Sequence, residues 1–323
     1  MLRKLLASLA CLIWVACAHA QALDEEQGQA LAPKAVSSGY TGIGDLSVPG
    51  TPLGYWGGDC YTRTGTYNII DVYDNTSSAV VATVECSSGA YAVTGGSTWT
   101  ISQVQTNCAV VTRCLSAYTY DQIGSNRCGT SQTCGMWPVS DDVATWAPAL
   151  VYTNGTTCGG ANANQFCFLY ASAGTSGMYT QYNTPTVAQP INFACVGQYT
   201  GGVHNIISNN AQTVQISDNT NMYAYAGSSF VSGGTLSTTN WSIQFATFDN
   251  AGSPRTQLNN GSPVTTSQGS TGLSNTDQLS MGYPDSWISS IGACFATTGA
   301  DFGATAVANM YSTWKSHWGG GLP

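Results

Sequence analysis

Apolar side chains recur at every second position through much of this chain and at helical spacing only near its end. In the stretch NWSIQFATFD, Trp241, Ile243 and Phe245 fall on one face and Ser242, Gln244 and Ala246 on the other, the period of a half-buried strand. NIIDVYD and AVVATVEC flank NTSS, which predicts a hairpin. DNAGS turns the chain again, and Asn260-Gly261 is a hairpin signal because both residues tolerate positive φ. Many short strands with such turns predict an all-β sandwich or jelly roll. Only TAVANMYSTWKSHWG has the other period. Val307, Met310, Tyr311, Trp314 and Trp318 form one apolar stripe, so a single C-terminal helix is expected to dock on the sandwich.

The two ends of the chain differ in texture. Residues 1–20 place Arg3 and Lys4 before an apolar run and close on Ala18-His19-Ala20, the pattern of a secretory signal peptide, too short for a membrane span. Residues 21–38 lack aromatics and read as a flexible leader. From Gly39 the pattern stays uniform, so 39–323 is expected to be a single jelly-roll domain.

Charge alters the picture chiefly by its scarcity. Asp, Glu, Lys and Arg are 7% of the chain and the formal net charge is −8. Beyond residue 20 the basic residues are Lys34, Arg63, Arg113, Arg127, Arg255 and Lys315. They form no basic patch, which excludes nucleic acid as a partner. Ser, Thr, Asn, Gln and Gly must therefore carry the contact with water.

Ten cysteines follow the signal segment: Cys60, Cys86, Cys108, Cys114, Cys128, Cys134, Cys158, Cys167, Cys195 and Cys294. An even count in an exported chain predicts up to five disulfides. The short spacings favour Cys108 with Cys114, Cys128 with Cys134 and Cys158 with Cys167, although spacing alone does not fix connectivity. The C-x5-C pairs are too widely spaced for a usual zinc site. Asp141-Asp142 is the one adjacent acidic pair after the leader and falls short of the six to eight oxygens calcium takes. No cofactor is expected.

Catalytic motifs are sparse. There is no G-x-S-x-G, no P-loop and no G-x-G-x-x-G. His204 and His317 are the histidines beyond the signal, and His317 lies on the terminal helix. Carboxylates remain, and glycoside hydrolysis needs two of them flanking the bond. Glu25 and Glu26 lie in the leader, so a pair must come from Asp or include Glu85.

Several segments then follow one another in a familiar order: GYTGIGDLSVPG, CAVVTRCLSAYTYDQIGSN, APALVYTNG, QPINFACV, MYAYAG, NWSIQFATFDNAG with LNNG, and the closing WKSHWG. Together, over residues 39–318, they resemble the concanavalin-like, laminin-G-like jelly roll of the α-L-arabinofuranosidase B catalytic domain, glycoside hydrolase family 54. The resemblance implies an all-β sandwich with a carbohydrate site. The stretch YTYDQIGSN matches a turn after a core strand in that family, and an Asp able to bond the backbone two residues on makes Asp121 a loop-former.

The departures bear on function. The family's nucleophilic Glu aligns with Asn219, beside Asp218, and an Asn cannot form the glycosyl ester. Its acid corresponds to Asp285 in SMGYPDSW. The family also holds its sugar against a disulfide of adjacent cysteines, and this chain has no Cys-Cys pair. The preferred expectation is a secreted, extracellular or periplasmic protein that binds an extracellular polysaccharide, arabinose-containing by analogy, without spanning the membrane. Tyr223, Tyr225, Tyr283 and Trp287, with Asn219, are its candidate sugar contacts. The alternatives are a hydrolase that uses Asp218 with Asp285, and a structural envelope or matrix protein.

Overall fold

The hairpin signals mark real strand pairs in the computed structural model. It describes residues 40–123, 135–138, 140, 142–153, 164–170, 176–180, 183–209, 214–282, 289–319 and 322. Strands β2 (Thr66–Asp74) and β3 (Ala79–Ser87) pair across the NTSS turn. Strands β15 (Trp241–Phe248) and β16 (Arg255–Leu258) pair across DNAGS. The Asn260-Gly261 turn also forms, but the positive φ falls on Asn259 (54°) and only one bridge, Thr256 to Val264, extends beyond it.

Antiparallel pairing builds two layers. The front sheet runs β16, β15, β10 (Ile191–Tyr199), β18 (Ser289–Thr298) and β1 (Thr51–Gly57). The back sheet begins with β14 (Val231–Thr235), β13 (Asn221–Tyr225), β12 (Val214–Asn219), β11 (His204–Asn209) and β17 (Leu279–Met281). It continues through β9 (Met178–Thr180), β6 (Met136–Pro138) and β5 (Cys114–Thr119) to β2, β3 and β4 (Ala90–Val93). Strands β7 (Ala149–Tyr152) and β8 (Phe166–Tyr170) bridge the layers, because β7 pairs with β5 and β8 pairs with β18. The result is an all-β jelly-roll sandwich.

The main core lies between the layers and joins Ile70, Val72 and Val84 to Ile216, Met281, Phe193 and Phe248. A second core forms on the outer surface of the front sheet, where helix α3 (Gly303–Trp318) lies across it. Trp318 stacks on Trp241 with centroids 5.0 Å apart. It also sits over Gly292, where a Cβ would come within 2.6 Å of the indole. This helix corrects one expectation. Strand β15 is buried on both faces rather than half-buried, because Ile243 and Phe245 meet α3 while Ala246 and Phe248 face the inter-sheet core. Two further helices appear, α1 (Ile101–Cys108) and the short α2 (Val143–Trp146). Thr100 caps α1, with Gln103 closing a capping box.

Disulfides join Cys60 to Cys86, Cys108 to Cys114 and Cys195 to Cys294. Cys167 is also disulfide-bonded; Cys128, Cys134 and Cys158 lie outside the described residues. The Asp121 turn is structural as expected. Its Oδ1 accepts the backbone N–H of Tyr55 at 3.0 Å and of Ile123 at 3.1 Å. Gln122 likewise grips the backbone of Tyr61 and Gly57.

One buried hydrogen-bonded pair fixes α3. Asp59 has no exposed surface, and its Oδ2 lies 3.0 Å from His317 Nδ1 while Oδ1 accepts the Tyr55 hydroxyl at 2.5 Å. Tyr55 in turn accepts the Trp314 indole N–H at 3.3 Å, and Tyr40 stacks on the His317 ring at 4.6 Å. Removing His317 leaves a buried Asp59 oxygen without its partner. His317→Ala is therefore expected to lose about 1–3 kcal/mol in urea unfolding, whereas Lys315→Ala on the exposed side of α3 should change it by less than about 0.5 kcal/mol.

Candidate functional site

Alternation decides which side chains the back sheet offers to solvent. In β12, Val214 and Ile216 belong to the inter-sheet core, so Gln215, Ser217 and Asn219 take the outer face. The register sets Gln215 opposite Tyr225 and Ser217 opposite Tyr223. In the other direction Gln215 faces Ser208, Ser208 faces Ser280, Ser280 faces Tyr179 and Tyr179 faces Trp137. A single cross-strand row therefore begins and ends in aromatics and is polar between them. Its middle is sealed: Ser208, Gln215 and Ser280 are buried, and Ser208 and Ser280 join hydroxyls at 2.7 Å. The two aromatic ends are the accessible parts.

At one end, Tyr223 and Tyr225 gather around Phe230. Phe230 is 57% exposed and lies nearly parallel to Tyr225, with centroids 4.5 Å apart and planes 21° from each other. Tyr223 meets it edge-on at 6.3 Å. Asn221 donates its amide to the Tyr223 hydroxyl at 3.3 Å, and Asn219 is exposed at the adjoining turn. The outcome is a flat ring platform bordered by neutral amides. Phe230 had no signal in the sequence reading, since it follows a Gly-Ser-Ser turn outside any alternating run.

At the other end lies a groove of about 660 Å³. Its floor holds Asp71, Tyr118, Tyr120 and Trp137. Asp71 accepts the Thr83 hydroxyl at 2.6 Å and the Tyr120 hydroxyl at 3.1 Å. Burial raises the Asp71 carboxyl above the usual range, against the pull of these two bonds. Burial, with the Asp71 charge next, pushes the Tyr120 phenol up to about 12. Tyr118 stands nearly perpendicular to both neighbours, 81° to Tyr120 and 80° to Trp137. Its hydroxyl occupies the space a side chain at residue 135 would need, so Gly135 permits that orientation. Sequence reading missed this groove because its residues are scattered over β2, β5 and β6.

The expected carboxylate pair does not gather at either end among the described residues. Asp218 is buried and is on the core-facing side of β12, with the Gln244 amide of the front sheet bonded to it. Desolvation raises its carboxyl to about 8, with the Gln244 bond pulling the other way. Asp285, Tyr283 and Trp287 lie outside the described residues. No group of His, Cys, Asp or Glu suited to a metal ion occurs among the described residues, and no described helix is long and apolar enough to cross a membrane.

No protein-family model and no curated protein sequence matches the chain. Solved structures do. An arabinofuranosidase complexed with arabinofuranosyl-α-1,2-xylobiose superposes with a TM-score of 0.59 at 12% identity, covering 82% of this chain and 62% of that one. A family 54 α-L-arabinofuranosidase soaked with a cyclic sulfate inhibitor gives 0.56 at 10% identity with the same coverage. The chain thus spans 62% of the length of each of these proteins. At such identity the likeness establishes a shared fold.

The state of Asp218 has a measurable consequence. Its folded value of about 8 lies above the ordinary 3.8, so the folded protein holds this proton more tightly than the unfolded chain does. The associated stability is complete below the ordinary value and is lost as pH rises through about 8, at up to about 1.4 kcal/mol per pH unit. Asp218→Asn should flatten the urea-stability profile across that window. Parallel profiles for the two proteins would mean that Asp218 is ionised in the fold.

Proposed function

We propose that the protein is a secreted, non-hydrolytic binder of an extracellular polysaccharide. The observation that carries this reading is the platform of Phe230 on Tyr225, flanked by Tyr223, Asn221 and Asn219 on the outer face of the back sheet. A sugar ring presents apolar C–H groups on its faces and hydroxyls around its rim. A flat exposed aromatic suits the first, and neutral amides suit the second without the desolvation cost of a charge. Three of the expected contacts, Tyr223, Tyr225 and Asn219, form or adjoin this platform, and Asn221 joins them. Disulfides support export, as does a surface that carries so little charge.

The hydrolase reading is less well supported. A retaining mechanism needs an ionised nucleophile facing the sugar, and Asp218 faces the sandwich interior and is neutral near pH 7. The sugar class follows by analogy with the arabinofuranosidases that share the fold, so an arabinose-bearing xylan is the first ligand to try.

Affinity electrophoresis through arabinoxylan should retard the wild type, and Phe230→Ala and Tyr225→Ala should each weaken binding about tenfold or more. An assay of the same samples for arabinose release should remain at the blank. Release that vanishes in Asp218→Asn and Asp285→Asn would replace binding with catalysis. Unretarded wild type across a panel of neutral polysaccharides would leave the platform without its ligand and favour the structural role.

A further inference from the structure

The groove at the opposite end of the row differs in shape and charge from the Phe230 platform, and we propose that it binds a quaternary ammonium group. Three features carry the assignment. Tyr118 is nearly perpendicular to Tyr120 and Trp137, at centroid distances of 4.6 Å and 5.3 Å, so the rings form walls at right angles rather than one stacking surface. Val80, Ala117, Pro138 and Val143 complete an apolar lining. Asp71 supplies a carboxylate, and no Lys or Arg is among the described residues lining the groove.

A trimethylammonium group is compact, cationic and covered in methyls. Its charge is spread over those methyls, so aromatic faces attract it through their quadrupoles while the apolar walls accept its surface. Such a group donates no conventional hydrogen bond, and Asp71 requires none from it because Thr83 and Tyr120 already hold the carboxylate in place. A neutral sugar fits less well. Its rim of hydroxyls would face mainly carbon, with Asp71, the tyrosine hydroxyls and Ser140 as the described polar contacts. Trp137 is 41% exposed and Val80 53%, which leaves the mouth open to a group attached to a small molecule or a lipid headgroup.

Titration calorimetry with tetramethylammonium chloride, in buffer of matched ionic strength, tests the assignment directly. Saturable binding is expected, weakened about tenfold by Asp71→Asn and by Trp137→Ala, with both variants checked for native circular dichroism. Trp137→Phe should retain part of the affinity. Choline should bind, and its neutral carbon isostere 3,3-dimethylbutan-1-ol should bind at least about tenfold more weakly. Choline binding without sedimentation on phosphatidylcholine vesicles would assign the site to a free small cation, and binding to both would assign it to a headgroup. Equal affinity for choline and its isostere would overturn the proposal, as would the absence of saturation. Loss of oligosaccharide binding in Trp137→Ala would overturn it too, by making the groove a sugar subsite. Phe230→Ala should leave tetramethylammonium binding unchanged, so failure here and failure of polysaccharide binding are separate results.

Discussion

The buried pair of Asp59 and His317 helps tie the only long described helix to the front sheet, and the helix so placed covers that sheet's outer face. Asp59 stands just beyond β1 and His317 in the last turn of α3. Between them they draw in Tyr55, Trp314 and Tyr40. A carboxylate without solvent is costly unless its oxygens are occupied, and here both are. The helix consequently lies over the front sheet and turns that sheet's outer face into a second core. The back sheet is left as the layer whose outer face can receive a ligand.

That division changes the meaning of alternation in the two sheets. In the front sheet, β10 and β15 are buried at every position, and several of their polar members are bonded internally. Asn192, for example, donates to Thr297 and accepts from Thr247. In the back sheet, alternation separates a core-facing set such as Ile216 and Met281 from an outward set such as Gln215 and Ser280. Asp218 lies on the core-facing side. Its environment favours the neutral acid, as expected for a carboxyl between sheets with an amide for company.

Much of the architecture is legible in the sequence because it rests on local signals. The β2–β3 and β15–β16 hairpins follow from alternation and turn residues, and α3 follows from one apolar stripe. Cys108 with Cys114 is readable because six residues close a short loop at little cost. Cys195 with Cys294 is not, since 99 residues separate them and only the β10–β18 register brings them together. The same limit applies to the sites. Tyr223 and Tyr225 could be named because they flank the positions where the site of the resembled family would lie. Phe230 joins them from a turn, and Asp71, Tyr118 and Trp137 become neighbours only through the β2–β5–β6 pairing. Helix α1, capped by Thr100 and Gln103, is not among the expected elements, because only the C-terminal stripe stands out at helical spacing.

On the proposed assignments, the two accessible ends of the outer row would let a weakly charged surface discriminate between ligands. With little charge available, selectivity must come from the angle between rings and from the few ionisable groups beside them. Nearly parallel rings with amide neighbours, as at Tyr225 and Phe230, offer one flat face and favour a ligand that is itself flat and hydroxylated. Perpendicular rings around a carboxylate, as at Tyr118 and Asp71, offer several faces to one point and favour a compact cation. The sealed serine and glutamine row between them keeps the sheet continuous. It would also separate the two proposed chemistries, because the hydroxyls and amide that join the ends are buried.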